Sequence, residues 1–427
     1  MVYHKVVVLS PSLIRLVNVG LRGLTLASKF LLIFALAYYL EPSQVGMYGL
    51  MFAAVSYSLY VVGLEFYIFS TRELIGASKD IWGEYLKSHA LLIVFLYCLA
   101  VPLLLLVFSF DFLPVELMGW FFVLLFLEHF SQEFNRLLVA SCKQLAASVV
   151  LFFRSGVWCI LIAVMMYFYP GFRSLNAVFF SWVIGGSIAC LISMILIYRM
   201  RLGGWRNSVN WKWIGAGIAV ALPFLLASLS TRGIFTLDRF FLEYYADLDV
   251  LGAYVFYVSI CSALVSFLDA SVFVFIYPVL IKNFQDGNVD LFLSNMKKLL
   301  MQTCSIVGVF VVLAFFMIDV VLSFIGKDSY MVNKDLFYLT LLAVVIFVAG
   351  FVPQYGLYAQ GHDRPIIMSS VFAIIVFVCF IYFAVNYISY WAIPVGMIMA
   401  FSVSFLWKTI SYFRLSAKAP QKLEIGN

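Results

Sequence analysis

The chain is short of charge. Asp, Glu, Lys and Arg make up 11% of its 427 residues, against about 25% in a soluble globular domain. That shortage excludes an ordinary water-exposed surface, and a net charge of +6 is too modest for a nucleic-acid binder. Histidine is scarce. His4, His89, His129 and His362 are scattered, with no metal-ligand spacing. The seven cysteines form no CxxC pair and lie almost wholly in apolar stretches, so neither a disulfide framework nor a metal site is expected. Long polar connections are missing too. Those around 70–86, 199–212 and 279–298 are the longest, and none could hold a folded domain. The ten-residue alternation of an outer-membrane barrel is absent.

What the sequence has is apolar length. Hydrophobic residues account for 65% of it, and the mean hydropathy is +1.05. A membrane-crossing helix needs about 20 such residues. Breaking the runs at polar, Gly and Pro punctuation predicts an all-α polytopic membrane protein with twelve spans. They cover 12–37, 46–69, 87–109, 117–141, 146–169, 175–198, 213–242, 251–278, 299–324, 336–360, 365–387 and 391–412. Arg15, Arg22 and Lys29 interrupt any short apolar core near the start. The first span therefore reads as a retained helix, not a cleaved signal. With the N-terminus in the cytoplasm, 17 of the 27 basic residues fall inside and only Arg173, Lys327 and Lys334 outside. This bias predicts cytoplasmic termini, with a basic tail (413–427) on anionic lipid heads.

The chain also repeats. Sliding it by 206 residues lays Leu31 on Leu237, Phe34 on Phe240, Tyr38–Tyr39 on Tyr244–Tyr245, Gly46 on Gly252 and Tyr48 on Tyr254. Eleven identities fall in 45 ungapped positions. The repeat carries helices 1–2 onto helices 7–8, so an even number of spans separates the copies. They share one orientation, as in transporters built from parallel repeats. The expected lobes are 1–205 and 206–412, six helices each, around a central cavity. Gly46 and Gly252 are expected to serve the first-turn packing of their helices.

Seven basic residues lie within predicted helices: Arg15, Arg22, Lys29, Arg136, Arg154, Arg232 and Arg239. A cation at the bilayer centre costs about 2.5–3.5 kcal/mol, so these should face water or a partner. Arg15, Asn18, Arg22, Thr25 and Lys29 follow steps of 3 and 4, one face of a helix. With Arg154 and Arg232 they form the candidate substrate-binding set, suited to phosphate oxygens and unsuited to a cation. Glu65, Glu128, Glu133, Arg136, Asp238, Arg239 and Asp269 are the candidate gate or ion-coupling residues. Within them, Glu133–Arg136 and Asp238–Arg239 are the local pairs, and a helix-4 partner is expected for Arg154. Pro223 and Pro353 are the candidate hinges. No metal site is assigned.

Two stretches carry a family resemblance. "ALAYYLEPSQVGMYGL" (Ala35 to Leu50) with "GLEFYIFSTREL" (Gly63 to Leu74) resembles the opening of the polysaccharide-transporter branch of the multidrug/oligosaccharidyl-lipid/polysaccharide (MOP) exporter superfamily. "LDRFFLEYYADLDVLGAYVFYVSI" (Leu237 to Ile260) resembles the start of that family's second lobe. The O-antigen flippases are the type most similar. The resemblance implies a non-enzymatic flippase. Such a protein moves an undecaprenyl-pyrophosphate-linked oligosaccharide outward across the bacterial inner membrane by alternating access. It implies no cofactor beyond coupling protons or sodium ions. The implied partners are the lipid-linked oligosaccharide, membrane lipids and other polysaccharide-assembly proteins. Two alternatives stay open: a cation-coupled multidrug exporter of the same superfamily, and a membrane-embedded glycan polymerase or ligase. The short outside loops and the basic helices weigh against both.

Overall fold

The computed structural model describes the backbone of residues 11–416 and side chains from Leu16 onward. The Arg15 side chain and most of the predicted tail, Lys418 and Lys422 included, lie outside the described residues. Among those described, the fold is all helix. The long helices are α1 (Pro11–Tyr39), α2 (Pro42–Gly63), α3 (Trp82–Ser109), α4 (Met118–Ala140), α5 (Gln144–Phe168) and α6 (Leu175–Tyr198). They continue as α7 (Trp211–Tyr245), α8 (Leu248–Gln285), α9 (Val289–Ile325), α10 (Lys334–Ala359), α11 (Asp363–Ile388) and α12 (Ala392–Ser416). Among the described residues ten stretches are long and apolar enough to cross a membrane, and one of them, Asp363–Ser416, contains both α11 and α12. Helix α4 is as long but carries a polar run from Glu128 to Arg136, and it completes the twelve.

Several ends differ from the sequence reading. Helix α9 starts at Val289, ten residues before the predicted 299. Asn288 accepts a hydrogen bond from the Leu291 N–H at 3.1 Å and starts the helix there. Helix α2 stops at Gly63, where Leu64 and Glu65 take left-handed backbone angles (φ 53° and 54°). The chain then resumes as a short helix, Tyr67–Gly76. Helix α12 runs on to Ser416, so Arg414 belongs to its last turn.

The helices pack into two units, each with its own interior. One comprises the described residues up to Tyr39 with Ser58–Leu222, and the other Leu40–Tyr57 with the described chain from Pro223. The division thus falls inside α2 and α7, and side-chain packing explains both places. In the first unit, the opening of α7 is held by Trp213 and Gly217. Trp213 meets the Phe66 ring edge-on at 5.2 Å and stacks on Tyr85 at 4.8 Å. A Cβ on Gly217 would lie 2.4 Å from the Phe66 ring, so only glycine admits this approach. Helix α7 continues unbroken through Pro223, and the division falls at that proline.

In the second unit, the first half of α2 lies against α8. A Cβ on Gly46 would sit 2.7 Å from the Leu248 carbonyl oxygen, and one on Gly252 only 1.9 Å from that of Pro42. Under the 206-residue shift, Pro42 corresponds to Leu248 and Gly46 to Gly252. Equivalent residues therefore make the same contact reciprocally, as self-complementary surfaces do. The repeat also shows in the second helix of each half. The break of α2 after Gly63 matches a π-helical turn in α8 at Asp269–Phe273, which the shift maps onto 63–67.

Candidate functional site

The first unit holds a charged centre built on α1, α4, α5 and α6. Glu128 is almost fully buried on α4. Its carboxylate accepts Arg154 Nε at 2.7 Å and Nη2 at 2.5 Å, and Trp182 Nε1 at 2.7 Å. Arg154 lies in a π-helical turn of α5, Phe153–Val157, an insertion that re-aims side chains and recurs at functional sites. The indoles frame the pair. Trp158 donates to the Arg154 carbonyl at 2.9 Å and stacks on Trp182 at 5.8 Å, 10° from parallel. Gly185 leaves room for Trp158, since a Cβ there would lie 2.4 Å from the indole.

Lys29 joins this centre from α1, within electrostatic reach of Arg154, Cys159 and Glu128. Its side chain is exposed, on the helix that also carries Arg22. One carboxylate faces two cations, so the centre carries a net positive charge. Arg22, two helical turns earlier, is exposed. The rest of the predicted stripe does not open the same way. Asn18 is half-buried and its Oδ1 has no hydrogen-bond partner among the described residues. Thr25 is buried, donates back to the Leu21 carbonyl at 2.8 Å, and packs against Gly156 of the π-turn. A regular 3–4 spacing fixes a face, but that face is wide enough for Thr25 to turn into α5 while Arg22 and Lys29 stay open.

A second polar cluster in the same unit was not legible as a group. Glu133 pairs with Arg136, whose guanidinium lies 3.5 Å over the Tyr67 ring. The Tyr67 hydroxyl hydrogen-bonds Glu65, the buried acid at the α2 break. His89 and His129 both come within electrostatic reach of Glu133, and His129 Nδ1 lies 3.1 Å from the Tyr97 hydroxyl. No spacing rule joins residues 65, 89 and 129, because the break after α2, helix α3 and helix α4 supply them. No group of His, Cys, Asp and Glu among the described residues is arranged to hold a metal.

In the second unit, Asp238 is fully buried on α7 and accepts the Tyr254 hydroxyl at 2.8 Å and the Arg239 backbone N–H at 2.7 Å. The expected Asp238–Arg239 side-chain pair is not formed. Neighbours on a helix point about 100° apart, and Arg239 donates to the Phe235 carbonyl at 2.9 Å. Arg232 and Asp269 are both exposed, and each feels the other's charge. Lys408 is buried and donates to Gln354 at 2.9 Å. Of the two candidate hinges, Pro353 sits beside a real interruption of α10 at Gly350, whereas Pro223 lies in a continuous helix.

No protein-family model matches the chain, and no curated protein matches it. Solved structures do. One is described as the inward-facing conformation of a multidrug resistance MATE family transporter of the MOP superfamily. It aligns with a TM-score of 0.73 at 14% identity, over 96% of this chain and 99% of that one. A MATE structure in the bent conformation aligns at 0.63 and 15% identity, over 95% and 96%. A MOP superfamily transporter from Pyrococcus furiosus Vc1 (DSM3638) aligns at 0.53 and 15% identity, over 95% of each chain. Its description states that reverse polarity of the binding pocket suggests a different function. At such identities the likeness shows the fold. The chain is a multi-pass membrane protein with the two-lobed MATE-like fold, and its structural neighbours are transporters, not enzymes.

Proposed function

We propose that the protein is a flippase for an anionic lipid-linked glycan of the undecaprenyl-pyrophosphate type, carrying it across the bacterial inner membrane. The observation that carries this reading is Lys29. It is an exposed cation on a spanning helix, within electrostatic reach of Arg154, and the single carboxylate of Glu128 balances only one of the two. An intramembrane charge left over in this way calls for a counter-ion from the transported molecule. Pyrophosphate supplies one, and both ammonium and guanidinium groups bind its oxygens. Arg22 continues the cationic character along α1. A cationic drug would be repelled.

Alternating access moves the bound headgroup, and a proton or sodium gradient drives it through the acids of the Glu65–Glu133 cluster. For the Pyrococcus furiosus transporter, reverse polarity of the binding pocket suggests a different function. The competing reading, a multidrug exporter, draws on the likeness to the multidrug resistance MATE family transporter.

One experiment separates them. The gene is deleted, the lipid-linked oligosaccharides are extracted, and cells are complemented with wild type, Lys29→Glu or Arg22→Glu at equal expression. The proposal expects the deletion to accumulate glycan lipid on the cytoplasmic leaflet. Wild type should clear it and Lys29→Glu should not. An unchanged pool together with new sensitivity to lipophilic cations would replace the flippase with an exporter.

A further inference from the structure

The second unit carries a group that the phosphate chemistry does not use. Three tyrosines meet where α8 and α10 run side by side. Tyr277 lies 5.4 Å from Tyr355 and 5.4 Å from Tyr358, ring centre to ring centre, with interplanar angles of 49° and 60°. All three are half-buried, and Tyr355 and Tyr358 both lie within electrostatic reach of the Tyr277 hydroxyl. Phe273 backs the shelf at 5.0 Å from Tyr355. Beside it stands Asp269, exposed and within electrostatic reach of both Tyr355 and Arg232.

Two local irregularities build this arrangement. The π-turn Asp269–Phe273 turns Asp269 and Phe273 off the regular helical course of α8. The interruption of α10 at Gly350 re-aims the segment Phe351–Ala359, which bears Tyr355 and Tyr358. That segment is fixed from behind at Gly356, where a Cβ would lie 2.5 Å from the Tyr412 ring. An exposed carboxylate and guanidinium on spanning helices are costly against lipid, which favours water over lipid at this face of the unit.

We propose that this shelf is a sugar-binding subsite, with Tyr277 and Tyr355 stacking on the apolar face of a pyranose ring while Asp269 and Arg232 take its hydroxyls. The proposal rests on the flippase reading and deepens it by placing the glycan in the second unit. The chemistry selects a neutral polar ligand. Asp269 repels an anion, and Arg232 beside it cancels the pull on a cation. Together they still offer carboxylate acceptors and guanidinium donors to hydroxyl groups. Aromatic faces with a few polar groups placed around them are the ordinary make-up of a small-molecule subsite.

The test uses the full chain in lipid nanodiscs. Binding is measured for bare undecaprenyl pyrophosphate, for the glycan lipid pool extracted from cells lacking the protein, and for tetraphenylphosphonium. Wild type should bind the glycan lipid more tightly than the bare lipid. Tyr277→Ala with Tyr355→Ala should weaken the glycan lipid about ten-fold, about 1.4 kcal/mol, and leave the bare lipid unchanged. Tyr277→Phe with Tyr355→Phe keeps the rings and should keep most of the affinity. Equal losses for glycan and bare lipid, or no preference in wild type, would overturn the subsite while leaving the flippase standing. Failure of wild type to bind either pyrophosphate lipid, with tight binding of the phosphonium, would overturn both.

Discussion

Glu128 offers the sharpest energetic prediction, because its neighbours make the two halves of one ion pair unequal. The carboxylate satisfies two guanidinium N–H groups and one indole N–H. Removing one partner of a buried pair costs about 3–5 kcal/mol, since the other charge is left without compensation. Glu128→Ala should fall in that range. It leaves Arg154 and Lys29 facing each other, and the Trp182 N–H unpaired. Arg154→Met should cost distinctly less, because Lys29 remains to balance Glu128. The double variant Glu128→Ala with Arg154→Met removes one charge of each sign and should recover part of the loss. Unfolding in mixed detergent micelles, followed by tryptophan fluorescence, gives the three free energies and closes the double-mutant cycle. If Arg154→Met proves as damaging as Glu128→Ala, Lys29 does not share the centre, and the surplus positive charge is refuted.

Other outcomes follow from particular contacts. Gly252→Ala puts a Cβ 1.9 Å from a backbone oxygen and should prevent folding. Gly46→Ala should do so less completely, and Gly308→Ala, which meets nothing within 4 Å, should be silent; folded yield by size-exclusion chromatography compares them. Asn135→Leu loses the 2.6 Å bond from Asn135 Nδ2 to the Ala147 carbonyl. It should cost about 1 kcal/mol, within the span measured for hydrogen bonds between membrane helices. Lys408→Met exchanges a buried amine with a single amide partner for an apolar chain of similar length. Stability in the same unfolding assay should hold or rise.

The long apolar runs made the helices legible, and the positions of the charges within them marked where chemistry would sit. Arg154 was expected to find a partner on the fourth helix, and Glu128 is that partner. The Gly46–Gly252 match signalled first-turn packing, though not that the two glycines meet each other. What stayed hidden follows from local geometry. A π-turn adds one residue to a helix without changing composition, so neither Phe153–Val157 nor Asp269–Phe273 could be read from hydropathy. The left-handed residues Leu64 and Glu65 carry no glycine signature at their own positions. Spacing puts His129 with Glu133 on one face of α4 and Tyr355 near Tyr358 on α10, but His89 and Tyr277 join them from other helices, which no spacing in one segment reveals. Asp238 and Arg239 are adjacent in sequence, and a helix turns them apart.

The proposed flippase binds an anionic glycan lipid at the charged centre on α1, α4 and α5. The most direct test reconstitutes the purified protein in liposomes with glycan lipid labelled on the sugar, and follows the label's loss of accessibility to a membrane-impermeant enzyme. Wild type should move the lipid between leaflets far faster than empty liposomes, and Lys29→Glu should fall to the empty-liposome rate while remaining folded. Undiminished movement in Lys29→Glu, or none in wild type, would contradict the account.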